Sequence, residues 1–259
     1  MHKRVLVTGG ALRLGAEICE AFARDGWHVI CQYRYAEEEA VKLTESMQLQ
    51  GYKFDCVYAE LSTEDGRIHL MKKLANQFGF ITCLINNASL FLPDDGMNFD
   101  HAEVLKQMEV NYFAPLSLTR LLAKQLTLEK QSIDASVIHI LDQKVFNLNP
   151  DYFSYTLSKL SLERAVSLQA QAVAPHVRVC GVAPGLIYVS GPQNEENFEL
   201  AAKANLMRRP TNPKDVANTC VFLASTKSIT GTTICVDNGQ HLVPLPRDIM
   251  FVVENLLKK

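Results

Sequence analysis

Residues 4–15 read Arg4-Val5-Leu6-Val7-Thr8-Gly9-Gly10-Ala11-Leu12-Arg13-Leu14-Gly15: a short run of β-formers, a glycine-bearing turn, and the start of a helical period that lasts to Asp25. Glycines let the backbone come close to a ligand and take unusual φ values. The N–H groups and dipole of a helix start attract a pyrophosphate. Taken alone, such a turn serves equally well as a tight strand-to-helix connection. The remainder of the chain has to decide between the two.

That remainder alternates short Val- and Ile-rich runs with longer segments of helical periodicity. Strands are expected at Arg4–Val7, His28–Gln32, Lys53–Ala59, Cys83–Asn86, Ser136–Leu141, Val177–Val182 and Thr233–Val236. Helices are expected over Gly15–Asp25, Ala36–Gln50, Thr63–Phe78, Asp100–Leu128, Tyr155–Ala172 and Pro213–Ala224. Thr63 before Glu64-Asp65, and Asn212 before Pro213, carry local start signals. The pattern is one of repeated βαβ units, hence an α/β protein: a doubly wound parallel sheet of seven strands with helices on both faces, in a single domain over residues 1–259. Pro184–Glu196 is punctuated by glycine and proline after a strand, as a mobile loop over a site would be. Glu195–Met207 is helix-like and suits a lid. His241–Lys259 forms a C-terminal extension, either an added helix or an arm that docks on a neighbour.

Composition excludes several function classes. The 259 residues carry a formal net charge of −2, with 47% hydrophobic and 21% charged residues, so no electrostatic footprint for nucleic acid or an anionic membrane is present. The expected partner is a small molecule. Seven scattered cysteines without a CxxC pair read as reduced core residues, and seven histidines without ligand spacing give no metal site. Met1 leads almost directly into the first strand, and the longest uncharged stretch, Leu74–Pro93, holds four Asn or Gln residues. A cytoplasmic location is expected.

Further landmarks stand in order: Asn86-Asn87-Ala88 after the fourth strand, Asn111 within a helix, Tyr155-xxx-Lys159, Pro184-Gly185 after the sixth strand, and Ile229-Thr230-Gly231 before Val236-Asp237. With the turn, they make the chain resemble the short-chain dehydrogenase/reductase family from Val5 to Leu242. The resemblance implies a Rossmann-like NADP-binding fold. Its cofactor contacts fall on Gly9, Arg13, Leu14, Gly15, Leu61, Asn87, Ala88, Ser89, Tyr155, Lys159, Pro184, Gly185 and Leu186, with Glu60 at the adenine amine. After the second strand comes Gln32-Tyr33-Arg34, with no acid until Glu37. An NAD enzyme commonly has a carboxylate there for the ribose diol, whereas Arg34 can clamp the 2′-phosphate of NADPH. A solvated surface arginine is the bland alternative.

Hydride transfer to a substrate leaves negative charge on its heteroatom, so a proton donor is needed within hydrogen-bond reach. Tyr155 is the candidate. A free phenol has a pKa of about 10, but Lys159, one helical turn later on the same face, can stabilise the phenolate and hold the nicotinamide ribose. Asn111, by resemblance, supports a helix irregularity and a water that links Lys159 to solvent.

The chain departs from the family at Asp142, thirteen residues before Tyr155, where most members have a hydrogen-bond-donating serine. A carboxylate cannot donate unless protonated, and it repels an alkoxide-like oxygen, which disfavours ordinary ketone reduction. Arg13 in place of the middle glycine of the turn, and Asn86-Asn87-Ala88-Ser89-Leu90-Phe91 in place of NNAG, are similar to pteridine reductases and bacterial dihydromonapterin reductases. By that resemblance Phe91 stacks on a pterin, Ser89 bonds its polar edge, Arg13 spans cofactor phosphate and pterin, and Tyr188 lines the pocket. Asp142 with Tyr155 holds the ring or relays a proton while hydride reaches an imine carbon. The proton's source is Tyr155, Asp142 or water.

Two other readings stand beside a dihydropterin reductase: a carbonyl reductase of the same fold, with Asp142 on a substrate hydroxyl, and a non-catalytic NADPH-sensing regulator. The resemblance further implies a homotetramer built through Asp100–Leu128 and Tyr155–Ala172.

Overall fold

The computed structural model describes residues 3–128 and 134–257; Met1, His2 and the last two residues of the expected C-terminal extension, Lys258 and Lys259, lie outside them. Seven strands, β1 (Arg4–Val7), β2 (His28–Tyr33), β3 (Phe54–Tyr58), β4 (Cys83–Asn86), β5 (Ala135–Ile140), β6 (Val177–Pro184) and β7 (Thr233–Val236), form one sheet in the order β3-β2-β1-β4-β5-β6-β7. Every pairing is parallel. Val5 sits against Val29 of β2 on one side and Cys83 of β4 on the other, so the order reverses between β1 and β4. In open α/β sheets a ligand crevice lies at such a switch point, beyond the carboxyl ends of the strands.

The central strands β1, β4 and β5 are buried along almost their whole length because helices cover both faces. On one face pack α1 (Arg13–Arg24), α2 (Glu37–Leu49) and α8 (Pro213–Ser225), through Ile18, Phe22, Ala40, Val216 and Leu223. On the other pack α3 (Glu64–Phe78), α5 (Ala114–Leu128) and α6 (Phe153–Val173), through Leu70, Leu74, Leu118, Leu122 and Ala170. The start signals act as expected. Thr63 Oγ1 accepts from Gly66 N at 3.2 Å, and Asn212 Oδ1 accepts from Lys214 N at 3.0 Å with Pro213 in the first turn. Five of the seven cysteines, Cys19, Cys31, Cys83, Cys180 and Cys220, are buried as free thiols.

Several boundaries differ from the sequence reading. The helix expected over Asp100–Leu128 is α4 (His101–Met108), a π-helical turn (Glu109–Phe113) and α5, so the irregularity falls on Asn111. The β6 strand runs two residues further, to Pro184, because its last pairs are with β7. Beyond a short α7 (Glu195–Ala201), the chain turns irregularly to Met207, so the helix-like segment is shorter than its periodicity implies. At the C-terminal end, α9 (Ile249–Leu257) buries Ile249 and Val253 against Ala201 of α7 in its own chain. No described helix is long and apolar enough to cross a membrane.

Candidate active site

Two cavities open at the switch point. One, of about 330 Å³, lies beside the glycine-bearing turn and is bounded by Arg34, Glu60 and Leu61. The other, of about 310 Å³, is bounded by Asp142, Tyr155 and Lys159. Arg13, Leu14, Asn87 and Ser89 border both, so the two form one cleft.

The turn is built to leave its ligand side bare. Gly9 has φ +59°, and a Cβ on Gly15 would stand 2.1 Å from Gly9 O, so Gly15 admits no side chain. Asn87 fixes the loop from beneath by donating from Nδ2 to Thr8 O and Gly9 O at 3.0 and 2.9 Å. Its backbone N–H and that of Ala88 both donate to Thr8 Oγ1. Leu12 at the head of α1 offers no side-chain cap, and the first turn holds no acid, which leaves the helix start receptive to an anion. These features fit a dinucleotide pyrophosphate. Arg13 keeps the left-handed φ of +52° that a glycine would adopt freely. Its guanidinium donates to Val189 O at 2.7 Å and lies 5.1 Å from the Tyr188 ring centroid, which ties the turn to the loop after β6.

At the adenosine end, Arg34 Nε meets Glu60 Oε2 at 2.5 Å, with the guanidinium 4.4 Å from the Tyr35 ring centroid. Glu60 Oε1 accepts from Ser62 N at 2.8 Å. Each Glu60 oxygen thus has one partner within the protein, a carboxylate oxygen can accept a second hydrogen bond, and Glu60 borders the cavity. Leu61 is buried beside it.

The chemical centre lies where α6 passes the end of β5. Tyr155 Oη donates to Asp142 Oδ2 at 3.0 Å, and Asp142 Oδ1 accepts from Lys144 N at 2.9 Å. Asp142 is therefore both a turn cap and the partner of the phenol. Burial, and next the backbone-bonded setting that partly opposes it, leave the Asp142 carboxyl above its ordinary pKa. Burial and then the Asp142 charge push the Tyr155 hydroxyl well above its usual value, so it stays protonated at neutral pH. Lys159 donates to Ile140 O at 2.8 Å and sits 5.7 Å from the Tyr155 ring centroid. The expected lowering of the phenol by this ammonium is not what the geometry gives: Asp142 is the nearer charge and acts in the opposite direction. Lys159 itself is brought down to about 8 by burial.

Asn111 holds the π-turn to the loop after β4, accepting from Leu90 N at 2.7 Å and Ser89 Oγ at 3.1 Å. It donates to Leu90 O at 2.8 Å and Ser158 Oγ at 3.0 Å. Phe91 stacks on Tyr152 at 4.1 Å and meets the edge of Tyr155 at 4.7 Å. Beyond β6, Gly185 N donates to Val236 O and Leu186 N to Gln240 Oε1, which fixes the Pro184-Gly185-Leu186 segment over the cleft.

Four features of the site escaped the sequence reading. Tyr152 backs Phe91 and continues to Phe251, 6.2 Å away. Lys144, almost wholly buried, donates to Asp151 O at 2.7 Å and pairs with Asp248 at 3.4 Å. Asp248, Ile249 and Met250 close one wall, and Gln193 joins them. A lysine two residues beyond Asp142 was the one local hint. The others depend on the C-terminal segment folding back, which Arg247 secures by bonding Asp151 through Nε at 2.9 and 2.8 Å.

Comparison with known proteins bears on this arrangement. The sequence profile of the family described as enoyl-(acyl carrier protein) reductase matches residues 10–241. A structure titled FolM alternative dihydrofolate reductase 1 from Brucella canis, complexed with NADP, is similar with a TM-score of 0.87 and 34% identity over 93% of this chain and 94% of that one. Dihydromonapterin reductase of Citrobacter koseri is 26% identical over 92% of this chain and 96% of its own length. The 3-oxoacyl-[acyl-carrier-protein] reductase FabG of Staphylococcus epidermidis is 25% identical over 93% of this chain and its full length. With its switch-point cleft, glycine turn and Tyr155–Lys159 helix, the chain belongs to the short-chain dehydrogenase/reductase family of oxidoreductases.

Proposed function

We propose that the protein is an NADPH-dependent reductase of dihydropterins, acting by hydride transfer to an imine carbon. The observation that carries this reading is the 3.0 Å contact of Tyr155 Oη with Asp142, a carboxylate where reduction of a ketone calls for a second hydrogen-bond donor. An amino-pyrimidine edge donates protons and its ring nitrogens accept them, so a carboxyl–phenol pair that shares protons matches such a ring. The FolM and dihydromonapterin reductase likenesses support the same choice, and the NADP in the FolM structure supports the cofactor.

The cofactor supplies the hydride. In this reading Gly9, Leu14, Gly15 and the uncapped start of α1 hold its pyrophosphate, Arg34 its 2′-phosphate, and Tyr155 and Lys159 its ribose. Asn87, Ala88, Ser89, Pro184, Gly185 and Leu186 border its nicotinamide half. Arg13 faces both cofactor and substrate. Phe91, supported from behind by Tyr152, offers a ring for the pterin, Ser89 bonds its polar edge, and Tyr188 closes the side. Asp142 and Tyr155 keep a proton at the heteroatom that hydride transfer leaves negative. Asn111 acts through Ser158 and the Leu90 backbone as a positioning residue. Assembly as a homotetramer through α5 and α6 belongs to the same proposal.

The FabG likeness favours a second reading, reduction of an oxoacyl ketone. NADPH consumption at 340 nm, with a dihydropterin and an oxoacyl ester offered separately, distinguishes them. Turnover of the ester alone would overturn the pterin assignment.

A further inference from the structure

One wall of the substrate cavity carries a polar group that the proposed chemistry leaves unused. Gln193 is 8% exposed and Asn197 6%. Asn197 Nδ2 donates to Met250 O at 2.8 Å, and Gln193 Nε2 donates to Asn197 Oδ1 at 2.8 Å. A backbone carbonyl can only accept, so the Asn197 amide must turn its nitrogen to Met250 and its oxygen to Gln193. That fixes the Gln193 amide in turn: its nitrogen faces Asn197, and Oε1 is left buried without a donor. Such an orphan acceptor is uncommon and calls for a reason.

Its position supplies one. Gln193 borders the cavity of about 310 Å³ that holds Tyr155, and also a neighbouring cavity of about 320 Å³ bounded by Asn194, Phe251 and Glu254. Met250 borders both, and an unbranched thioether can swing to join them. The lining of the first cavity also holds the Asp142 and Asp248 carboxylates and a second orphan oxygen, Gln143 Oε1. The nearby Lys144 ammonium is already committed to Asp151 O and Asp248. The cavity at Gln193 therefore has an unpaired acceptor beside it, and its complement is a ligand with an O–H donor.

We propose that Gln193 is a specificity-determining residue, whose Oε1 accepts a hydrogen bond from a hydroxyl on a short side chain of the substrate. The hydroxylated chain runs past Met250 toward the second cavity. This rests on the dihydropterin reading, with the ring at Phe91 and Tyr155. A site built around a buried acceptor rejects an analogue that lacks the matching donor, because the acceptor is then left unpaired.

The test uses the purified protein, NADPH and two dihydropterins that share the ring, one with a methyl and one with a dihydroxypropyl substituent. The wild type should favour the hydroxylated compound by about tenfold or more in kcat/KM. Gln193→Leu should bring that ratio to within about threefold of unity, chiefly through KM. A wild-type ratio near one, or a Gln193→Leu ratio equal to the wild type's, overturns the inference while leaving the dihydropterin reading in place. Failure of the wild type to reduce either compound overturns both. If the thermal unfolding midpoint shows that Gln193→Leu does not fold, Gln193→Met replaces it and is read by the same ratio against the wild type.

Discussion

Asp142→Asn separates what this carboxyl does for catalysis from what it does for the fold. Asparagine has nearly the same shape and can keep one acceptor for Lys144 N or Tyr155 Oη, now 2.9 and 3.0 Å from the two carboxylate oxygens. It cannot carry a titrating proton or a charge. A hydrogen bond to a charged acceptor contributes about 1.5–3 kcal/mol and one to a neutral acceptor about 1 kcal/mol. The difference, with loss of the proton carrier, predicts a fall in kcat/KM of about tenfold to a hundredfold at neutral pH. Stability should move the other way. Burial raises the folded-state pKa of Asp142, so the wild type binds its proton more tightly when folded. It loses stability as pH rises from the ordinary aspartate range through that raised value. The variant is free of that loss, so its unfolding midpoint at pH 7–8 should equal or exceed the wild type's, in part because Lys144 keeps Asp248 as a partner. NADPH oxidation at 340 nm with a dihydropterin, and thermal unfolding across pH 5–9, measure the two arms. A variant that keeps more than about half of the wild-type kcat/KM would refute the reasoning, since less than 1 kcal/mol would then separate the groups.

Gly15→Ala should weaken NADPH binding by about a hundredfold or more in a fluorescence titration, because its Cβ would stand 2.1 Å from Gly9 O and the turn has to shift; unchanged affinity would mean the cofactor does not use this turn. Arg34→Ala should weaken NADPH by about tenfold to a hundredfold while leaving NADH within about threefold, as loss of a charge-assisted phosphate contact requires; equal losses for both cofactors would contradict it. Burial brings Lys159 down to about 8, so its ammonium is present below that pH and lost above it. Turnover should therefore fall as pH rises through about 8, and a rate that holds to pH 10 would remove Lys159 from the charged role.

Legibility from sequence followed the range of the forces involved. Strand and helix periods, caps at Thr63 and Asn212, and the glycine turn are local, and the structure has them within a few residues of their expected places. The Tyr155–Lys159 spacing likewise put both side chains on one wall, because four residues is about one turn of helix. Electrostatics at the same centre was less legible. Spacing suggested that the ammonium would lower the phenol, yet Lys159 donates to Ile140 O while the phenol donates directly to Asp142. A pair four apart in sequence can share a face without sharing a bond.

Closure of the pocket was the least accessible part, since it depends on residues 98 and 104 positions apart. Tyr152 Oη reaches Met250 Sδ, and Lys144 reaches Asp248, only because Asp151 gathers the Arg247 guanidinium and the Asp248 N–H. Nothing in the periodicity of residues 241–257 marks them as a wall of a site. Yet the two ends of this connection differ in kind: the β5–α6 side carries the proton-handling groups, and the C-terminal side carries Asp248, Ile249 and Met250. The chemistry at Asp142 and Tyr155 is thus held by the sheet and α6. The proposed substrate boundary is held by a segment anchored at Asp151 and packed on α7, so that boundary can be altered by substitution without rebuilding the proposed hydride-receiving site.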